Sequence, residues 1–193
     1  QAYYAVVSHL DQQVGTLVKQ IKAAGLWENT VLIFLSDNGY HLGSHGLGNK
    51  ITMHAESVRV PMFVTGPGVA RGMRSQSLVS SLDLYPTLLS LAGAEIPDWA
   101  MGHCLTTVFR DPDSTVRQTV FSECVGVGGK PAEGHRMAYD GRYKLILTGT
   151  DELYLFDREN DPGELKNVID QAEYAGIRKR LESELANWMR TIR

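Results

Sequence analysis

Asp37 and Asn38 sit side by side just past a continuous apolar run at residues 31–35, and Lys50 closes the polar, glycine-rich stretch that follows. A carboxylate and an amide oxygen suit a hard cation such as Ca²⁺ or Mg²⁺. Adjacent residues on a strand point to opposite faces, so both can face one ion only where the chain has left the strand. Gly39 permits such a turn. Taken alone, Ser36-Asp37-Asn38-Gly39 is an ordinary turn sequence and Lys50 an ordinary solvated lysine. Taken together they allow a second reading. Gly39, Gly43, Gly46 and Gly48 make the intervening loop pliable, so Lys50 can return toward a bound metal. There its cation can hold an anionic oxygen and stabilise charge as it develops.

The elements that would position these residues follow from periodicity. Tyr3, Val7, Leu10, Val14, Leu17 and Ile21 mark one face of a helix, with Gly25 as its stop. Residues 31–35 have the continuous apolar character of a strand buried on both faces, as in a parallel sheet. Ligands bind at the C-terminal edge of such strands, where Asp37 and Asn38 lie. Residues 60–65 form a second strand candidate, closed by the turn signal Gly66-Pro67-Gly68, and residues 78–81 a short third. Asp83 is placed to cap a helix through Leu84, Leu88 and Leu91 that ends at Gly93, with Pro86 in its first turn. After residues 111–113 the character changes. Short strand candidates fall at 120–123, 135–139, 143–147 and 152–156, with Asp140-Gly141 as a hairpin signal. Ile177, Leu181, Leu185, Trp188 and Ile192 mark a final helix whose apolar face suits the small sheet.

The bulk numbers narrow the class. A chain of 193 residues can bury a real core. A net charge of −3 gives no support to a nucleic-acid groove or an anionic membrane as partner. No apolar run approaches the roughly 20 residues of a membrane span. Cys104 and Cys124 have no metal-site spacing, though one disulfide between them is allowed. The chain opens on Gln1, directly into the helix pattern, which suggests a processed or truncated product. Residues 126–129 suggest a mobile glycine loop, without the Lys-Ser/Thr of a phosphate loop.

The stretch from Leu35 through Lys50, Ser-Asp-Asn-Gly-Tyr-His-Leu-Gly-Ser-His-Gly-Leu-Gly-Asn between them, followed by Glu56-Ser-Val-Arg-Val-Pro61, resembles the second signature region of sulfatases in the alkaline phosphatase superfamily. Leu10-Asp-Gln-Gln-Val-Gly15, the segment from Val79 to Leu89, Asp140-Gly-Arg-Tyr-Lys-Leu-Ile146, and the segment from Glu152 to Leu165 are similar to further parts of the same family, in the same order. The resemblance implies the C-terminal portion of an arylsulfatase-like enzyme. Residues 1–112 would be the end of an alkaline-phosphatase-like α/β/α sheet domain, and residues 113–193 a small antiparallel sheet packed on a C-terminal helix. It implies that Asp37 and Asn38 are metal ligands, the Asn form of the pair going with Ca²⁺. It implies that Lys50 contacts the sulfate group or a neighbouring anionic group of the substrate and that His45 has a supporting, hydrogen-bonded role there. His41 and His54 are nearby but not required by the family pattern. Glu56 and Arg59 are expected to form an ion pair, and His9, His103 and His135 to be structural or superficial.

The same family uses a formylglycine nucleophile made from the Cys or Ser of a Cys/Ser-x-Pro-x-Arg segment. None of the seven prolines has Cys or Ser two residues before it. Thr65-Gly66-Pro67 lacks the arginine and is a false lead. Ca²⁺ takes about six to eight oxygen ligands, more than Asp37 and Asn38 supply. The expected partners are therefore a sulfate ester and the N-terminal part of the same enzyme, which carries the nucleophile and the remaining ligands. Alone, the chain is expected to bind metal poorly and to hydrolyse nothing. Two alternatives stay open: a fragment of a phosphonate or phosphate ester hydrolase of the same superfamily, and a non-catalytic binding module of sulfatase ancestry.

Overall fold

A computed structural model describes residues 2–126 and 134–192. Helix α1 (Ala2–Ala23) ends at Gly25, whose φ of +70° suits glycine. Gly25 N–H donates to Lys22 O and Leu26 N–H to Ile21 O, the paired bonds of a Schellman cap. The helix appears where the apolar spacing puts it, but it buries none of its residues. Tyr3, Leu10 and Leu17 are about half exposed. No helix among the described residues is long and apolar enough to cross a membrane.

Strand β1 (Leu32–Leu35) pairs with β2 (Met62–Thr65) in register Leu32↔Thr65 to Leu35↔Met62. The pairing is antiparallel, and β1 is half-buried throughout. The expected doubly buried parallel strand is therefore corrected. Among the described residues β1 has one neighbour, and the Phe34 and Phe63 rings stack across that pair at 4.8 Å. Phe63 itself is half exposed. Short helix α2 (Ala55–Val58) precedes β2.

Residues 78–81 do not form the expected strand. Their polar groups start a helix instead. Asp83 holds the N-cap position of α3 (Leu84–Leu91), as expected, but its side chain does not cap that helix; Ser80 caps the 3₁₀ turn Ser81–Asp83 that leads into it. Asp83 is the return arm of that capping box: its carboxylate accepts from Ser80 N–H at 2.7 Å. The same carboxylate, fully buried, accepts from His103 N–H at 2.8 Å and from both terminal nitrogens of Arg117. Thr87 Oγ1 donates to Asp83 O and accepts from Leu105 N–H, tying α3 to the start of α4 (Thr106–Arg110). Burial pushes the Asp83 carboxyl up, but the Arg117 and backbone hydrogen bonds outweigh it and hold the group below the usual carboxylate range. Arg117→Ala leaves this carboxylate without its cation, and the expected loss is about 3–5 kcal/mol at pH 7, read by urea denaturation. In the parent, a carboxyl with a depressed native pKa contributes stability that is full above its ordinary pKa. That contribution is lost as pH falls through the native value, so the deficit of the variant relative to the parent should shrink as pH falls.

The second half is a meander in strand order β3-β4-β5-β6: β3 (Val120–Cys124), β4 (His135–Tyr139), β5 (Tyr143–Thr148) and β6 (Leu153–Asp157). The β4–β5 hairpin turns on Asp140-Gly141. Asp140 Oδ1 accepts from the Arg142 and Tyr143 N–H groups, and Gly141 takes φ +99°. Most of the expected 126–129 loop lies outside the described residues. Cys104 and Cys124 are both free thiols, so the allowed disulfide is not formed.

Period-two alternation gives this sheet two buried faces. Ala138, Leu145 and Leu155 pack on α5 (Ala175–Thr191) through Leu181 and Leu185, and Phe121 stacks on Trp188 at 5.2 Å. On the other face Met137, Ile146 and Phe156 close over Met53, three residues past Lys50. That second face fixes the candidate site to the sheet.

Candidate functional site

The chain leaves β1 at Leu35 and turns at once. Ser36 Oγ donates to Asn38 O at 2.7 Å, and Asp37 Oδ1 accepts from Asn38 N–H at 2.9 Å. The Asp37 side chain is exposed and Asn38 half-buried. The amide oxygen of Asn38 and the second carboxylate oxygen of Asp37 have no hydrogen-bond partner among the described residues. They therefore present the hard oxygen donors that a divalent cation takes. No three His, Cys, Asp or Glu side chains among the described residues are arranged to hold a metal ion. Two oxygen donors are fewer than the roughly six to eight that Ca²⁺ takes.

Gly39 is required by close approach. Its N–H donates to Ser57 O at 2.8 Å, and a Cβ there would lie 1.8 Å from Glu56 O. Residues 42–46 then coil tightly, with Leu42, Gly43, His45 and Gly46 all at positive φ. Gly43 N–H donates to Leu47 O, and His41 N–H donates to Asn49 O at 3.0 Å, which closes the loop at its neck. Lys50 follows, exposed and without an ion pair among the described residues.

Three imidazoles lie together behind the loop. The ring centroids of His45 and His54 are 4.1 Å apart, and His41 lies 5.6 and 5.7 Å from them. His41 is buried, at 2% exposure. Burial, then the neighbouring His45, lower the His54 pKa to about 4, so its ring is neutral at pH 7. His45 Nε2 is 3.5 Å from Glu56 Oε1. The expected Glu56–Arg59 ion pair is thus corrected: Glu56 turns toward His45, and Arg59 makes no ion pair among the described residues. Burial raises the Glu56 carboxyl, while hydrogen bonding by its own backbone and the nearness of His45 bring it below its ordinary value.

A charged cluster stands behind His54 that no local sequence pattern marked. Lys144 on β5 and Glu164 are each 2% exposed, with Nζ to Oε1 at 2.6 Å. Arg158 Nε lies 2.6 Å from the same oxygen. Glu164 Oε2 accepts from Ala55 N–H at 3.0 Å, and Lys144 Nζ donates to Met53 O at 3.0 Å. Burial lowers the Lys144 pKa against the opposing charge of Glu164. The backbone on both sides of His54 is thereby held by side chains from β5 and from the turn after β6. The only available signals were a lysine at an inward register in a strand and the Asn160-Asp-Pro-Gly-Glu164 turn. A cleft of about 600 Å³ runs between these groups and the end of β1, lined by Asp37, Ser57, Arg59, Ser77, Lys144 and Arg158 among others.

Comparison with known proteins fits this arrangement. The family described as N-sulphoglucosamine sulphohydrolase, C-terminal, matches residues 43–191, a span that includes His45 and Lys50 and starts just after Asp37 and Asn38. The ulvan-active sulfatase of Formosa agariphila is 29% identical over 191 residues, covering 96% of this chain and 37% of its own length. The choline-sulfatase of Rhizobium meliloti is 31% identical over 198 residues, covering 97% and 37%. BT4656, solved with its substrate D-glucosamine-2-N,6-O-disulfate, superposes with a TM-score of 0.89 at 28% identity, covering 96% of this chain and 39% of that one. The phosphonate monoester hydrolase of Agrobacterium radiobacter superposes at 0.85 with 26% identity, covering 96% and 40%. The chain spans less than two-fifths of the length of both sulfatases. The order of its elements, its sulfatase signature loop and its match to the family over residues 43–191 agree: this chain belongs to the sulfatase C-terminal family of the alkaline-phosphatase-like fold.

Proposed function

We propose that this chain is the C-terminal part of an enzyme that hydrolyses sulfate esters to an alcohol and inorganic sulfate, and that it contributes one side of the metal and sulfate site. The observation that carries the reading is the turn after β1. Asp37 lines a cleft together with Arg59, Lys144 and Arg158, Asn38 follows it in the turn, and Lys50 lies at the far end of the same loop. Asp37 and Asn38 would hold a divalent cation, Ca²⁺ by the Asn form of the pair. When bound, that ion neutralises charge on the sulfuryl oxygens. The Lys50 ammonium adds a second positive charge to the same group. His45 lies between Glu56 and His54, where it supports the loop. Lys144 is committed to Glu164 and Met53 O and does not serve as a substrate cation. The nucleophile, expected to be formylglycine, and the remaining ligands belong to the N-terminal part of the enzyme.

A second reading has one observation in its favour, the superposition on phosphonate monoester hydrolases. The two are separated by assaying the complete enzyme, this chain joined to its N-terminal part, on p-nitrophenyl sulfate and on a p-nitrophenyl phosphonate monoester. Preference for the sulfate supports the sulfatase reading, and preference for the phosphonate replaces it. Calorimetric titration of this chain alone should give weak Ca²⁺ binding and no turnover of either ester. In the complete enzyme Asp37→Ala should weaken Ca²⁺ binding by at least about 100-fold, since even outer-shell changes cost 10–100-fold. Robust sulfate-ester turnover by the 193-residue chain alone would sink the proposal.

A further inference from the structure

We propose that His41 is a positioning residue that holds Lys50 in register with Asp37 and Asn38. Lys50 meets solvent, and nothing along its own side chain fixes it. The chain on either side of it, however, is bonded to His41. On one side His41 N–H donates to Asn49 O at 3.0 Å. On the other His41 Nε2 lies 2.8 Å from Thr52 Oγ1. The residue before Lys50 and the residue two after it are thus bonded to one buried histidine, itself three residues past Asn38.

The hydrogen bonds close a circuit. Thr52 Oγ1 lies 3.2 Å from Ser57 Oγ and accepts from His54 N–H at 3.3 Å. Ser57 O accepts from Gly39 N–H. The path from Asn38 through Gly39, Ser57, Thr52, His41 and Asn49 therefore returns to Lys50 without a gap. The tautomer follows from counting bare groups. His41 Nδ1 is buried without a partner. A bare acceptor costs less than a bare donor, so Nε2 carries the proton and donates to Thr52 Oγ1. That hydroxyl then gives its own proton to Ser57 Oγ. The clamp is needed because the loop it closes is costly to order. Residues 42–51 contain Gly43, Gly46 and Gly48, and four of the ten positions adopt positive φ.

The catalytic part of this proposal rests on the reading that Lys50 meets the sulfuryl group; the clamp itself does not. Glutamine can place an N–H donor near the position of Nε2, whereas asparagine is too short to reach it. In the complete enzyme His41→Asn should lower kcat on p-nitrophenyl sulfate by roughly 100-fold with little change in KM, the scale set by a displacement of about 1 Å. His41→Gln should restore most of that loss. Amide exchange read on the same proteins should speed up roughly tenfold across residues 42–51 in His41→Asn, as expected for one lost hydrogen bond, with β3–β6 unchanged. Thr52→Val, which removes the acceptor from the other side, should give the same local pattern and guards against a His41 variant that fails to fold. Unchanged exchange at 42–51 in both variants overturns the clamp, and so does equal loss of kcat in the Asn and Gln variants. If local exchange speeds up while Lys50→Ala leaves turnover unaltered, the clamp stands and the role given to Lys50 falls.

Discussion

Replacing Glu164 with alanine should cost about 3–5 kcal/mol, the scale for removing one member of a buried ion pair. Glu164 is the single anion against two cations, Lys144 and Arg158, and it also accepts the Ala55 N–H. Its loss leaves Lys144 buried without a counter-charge and an amide without an acceptor. Urea denaturation gives the size of the effect, and its pH dependence identifies the cause. Burial already lowers the Lys144 pKa, and without Glu164 only the weaker attraction of Glu56 opposes that. A lysine whose native pKa lies below its unfolded value binds fewer protons when folded, so stability rises with pH between the two values. The variant should regain stability as pH rises toward the ordinary lysine pKa of about 10.4. A deficit that stays constant up to that pH would mean that the cluster acts through packing rather than charge. Because Glu164 holds Ala55 and Lys144 holds Met53, the same variant should also loosen the backbone around His54.

Gly39→Ala should act on function more than on the fold. The added methyl would meet Glu56 O at 1.8 Å and Glu56 C at 2.8 Å, both backbone atoms that no rotamer change can move aside. Either Gly39 withdraws and loses its bond to Ser57 O, or α2 shifts with it. Both outcomes displace Asn38 relative to Lys50. A shift of about 1 Å is enough for a loss of roughly 100-fold or more in kcat/KM on p-nitrophenyl sulfate, measured in the complete enzyme. The far-ultraviolet dichroism should stay near that of the parent, since the meander and α5 do not touch Gly39. Parent-like kcat/KM in a folded Gly39→Ala enzyme would show that the Asp37-Asn38 turn tolerates displacement and is not a ligand pair.

The meander was legible because alternation is a local signal. Leu145 and Ile146 are both buried although they face opposite ways, one toward α5 and the other toward Met53. The Asp140-Gly141 turn between β4 and β5 was equally local. Residues 31–35 were legible as a strand, but hydropathy does not encode the direction of a partner, and the antiparallel pairing with β2 went against expectation. At residues 80–83 the helix start was found and the roles inside it were exchanged. Ser80 and Asp83 both belong to one capping box, and a carboxylate three residues past a serine fits either role until its partners are seen.

Asp37, Asn38 and Lys50 could be named as candidates from the sequence because they share one short loop, and His45 because that loop resembles a sulfatase signature. The Ala55–Glu164 bond spans 109 residues, and no periodicity connects its ends. His41 was passed over for a different reason. Its chemistry is a hydrogen bond to Thr52, and a histidine–threonine pair eleven residues apart looks like any other polar pair in a glycine-rich loop.

Helix α1 carries one more consequence, for the way the molecule comes apart. It buries no residue, and no other described element makes more than marginal contact with it. Helices in proteins draw most of their stability from tertiary packing rather than from propensity. The meander with α5 has a dense interior of its own, whereas α1 has only its backbone ladder and its cap. Melting of this chain is therefore not one cooperative event. The helix should unravel before the rest, seen as loss of helical dichroism ahead of the main transition.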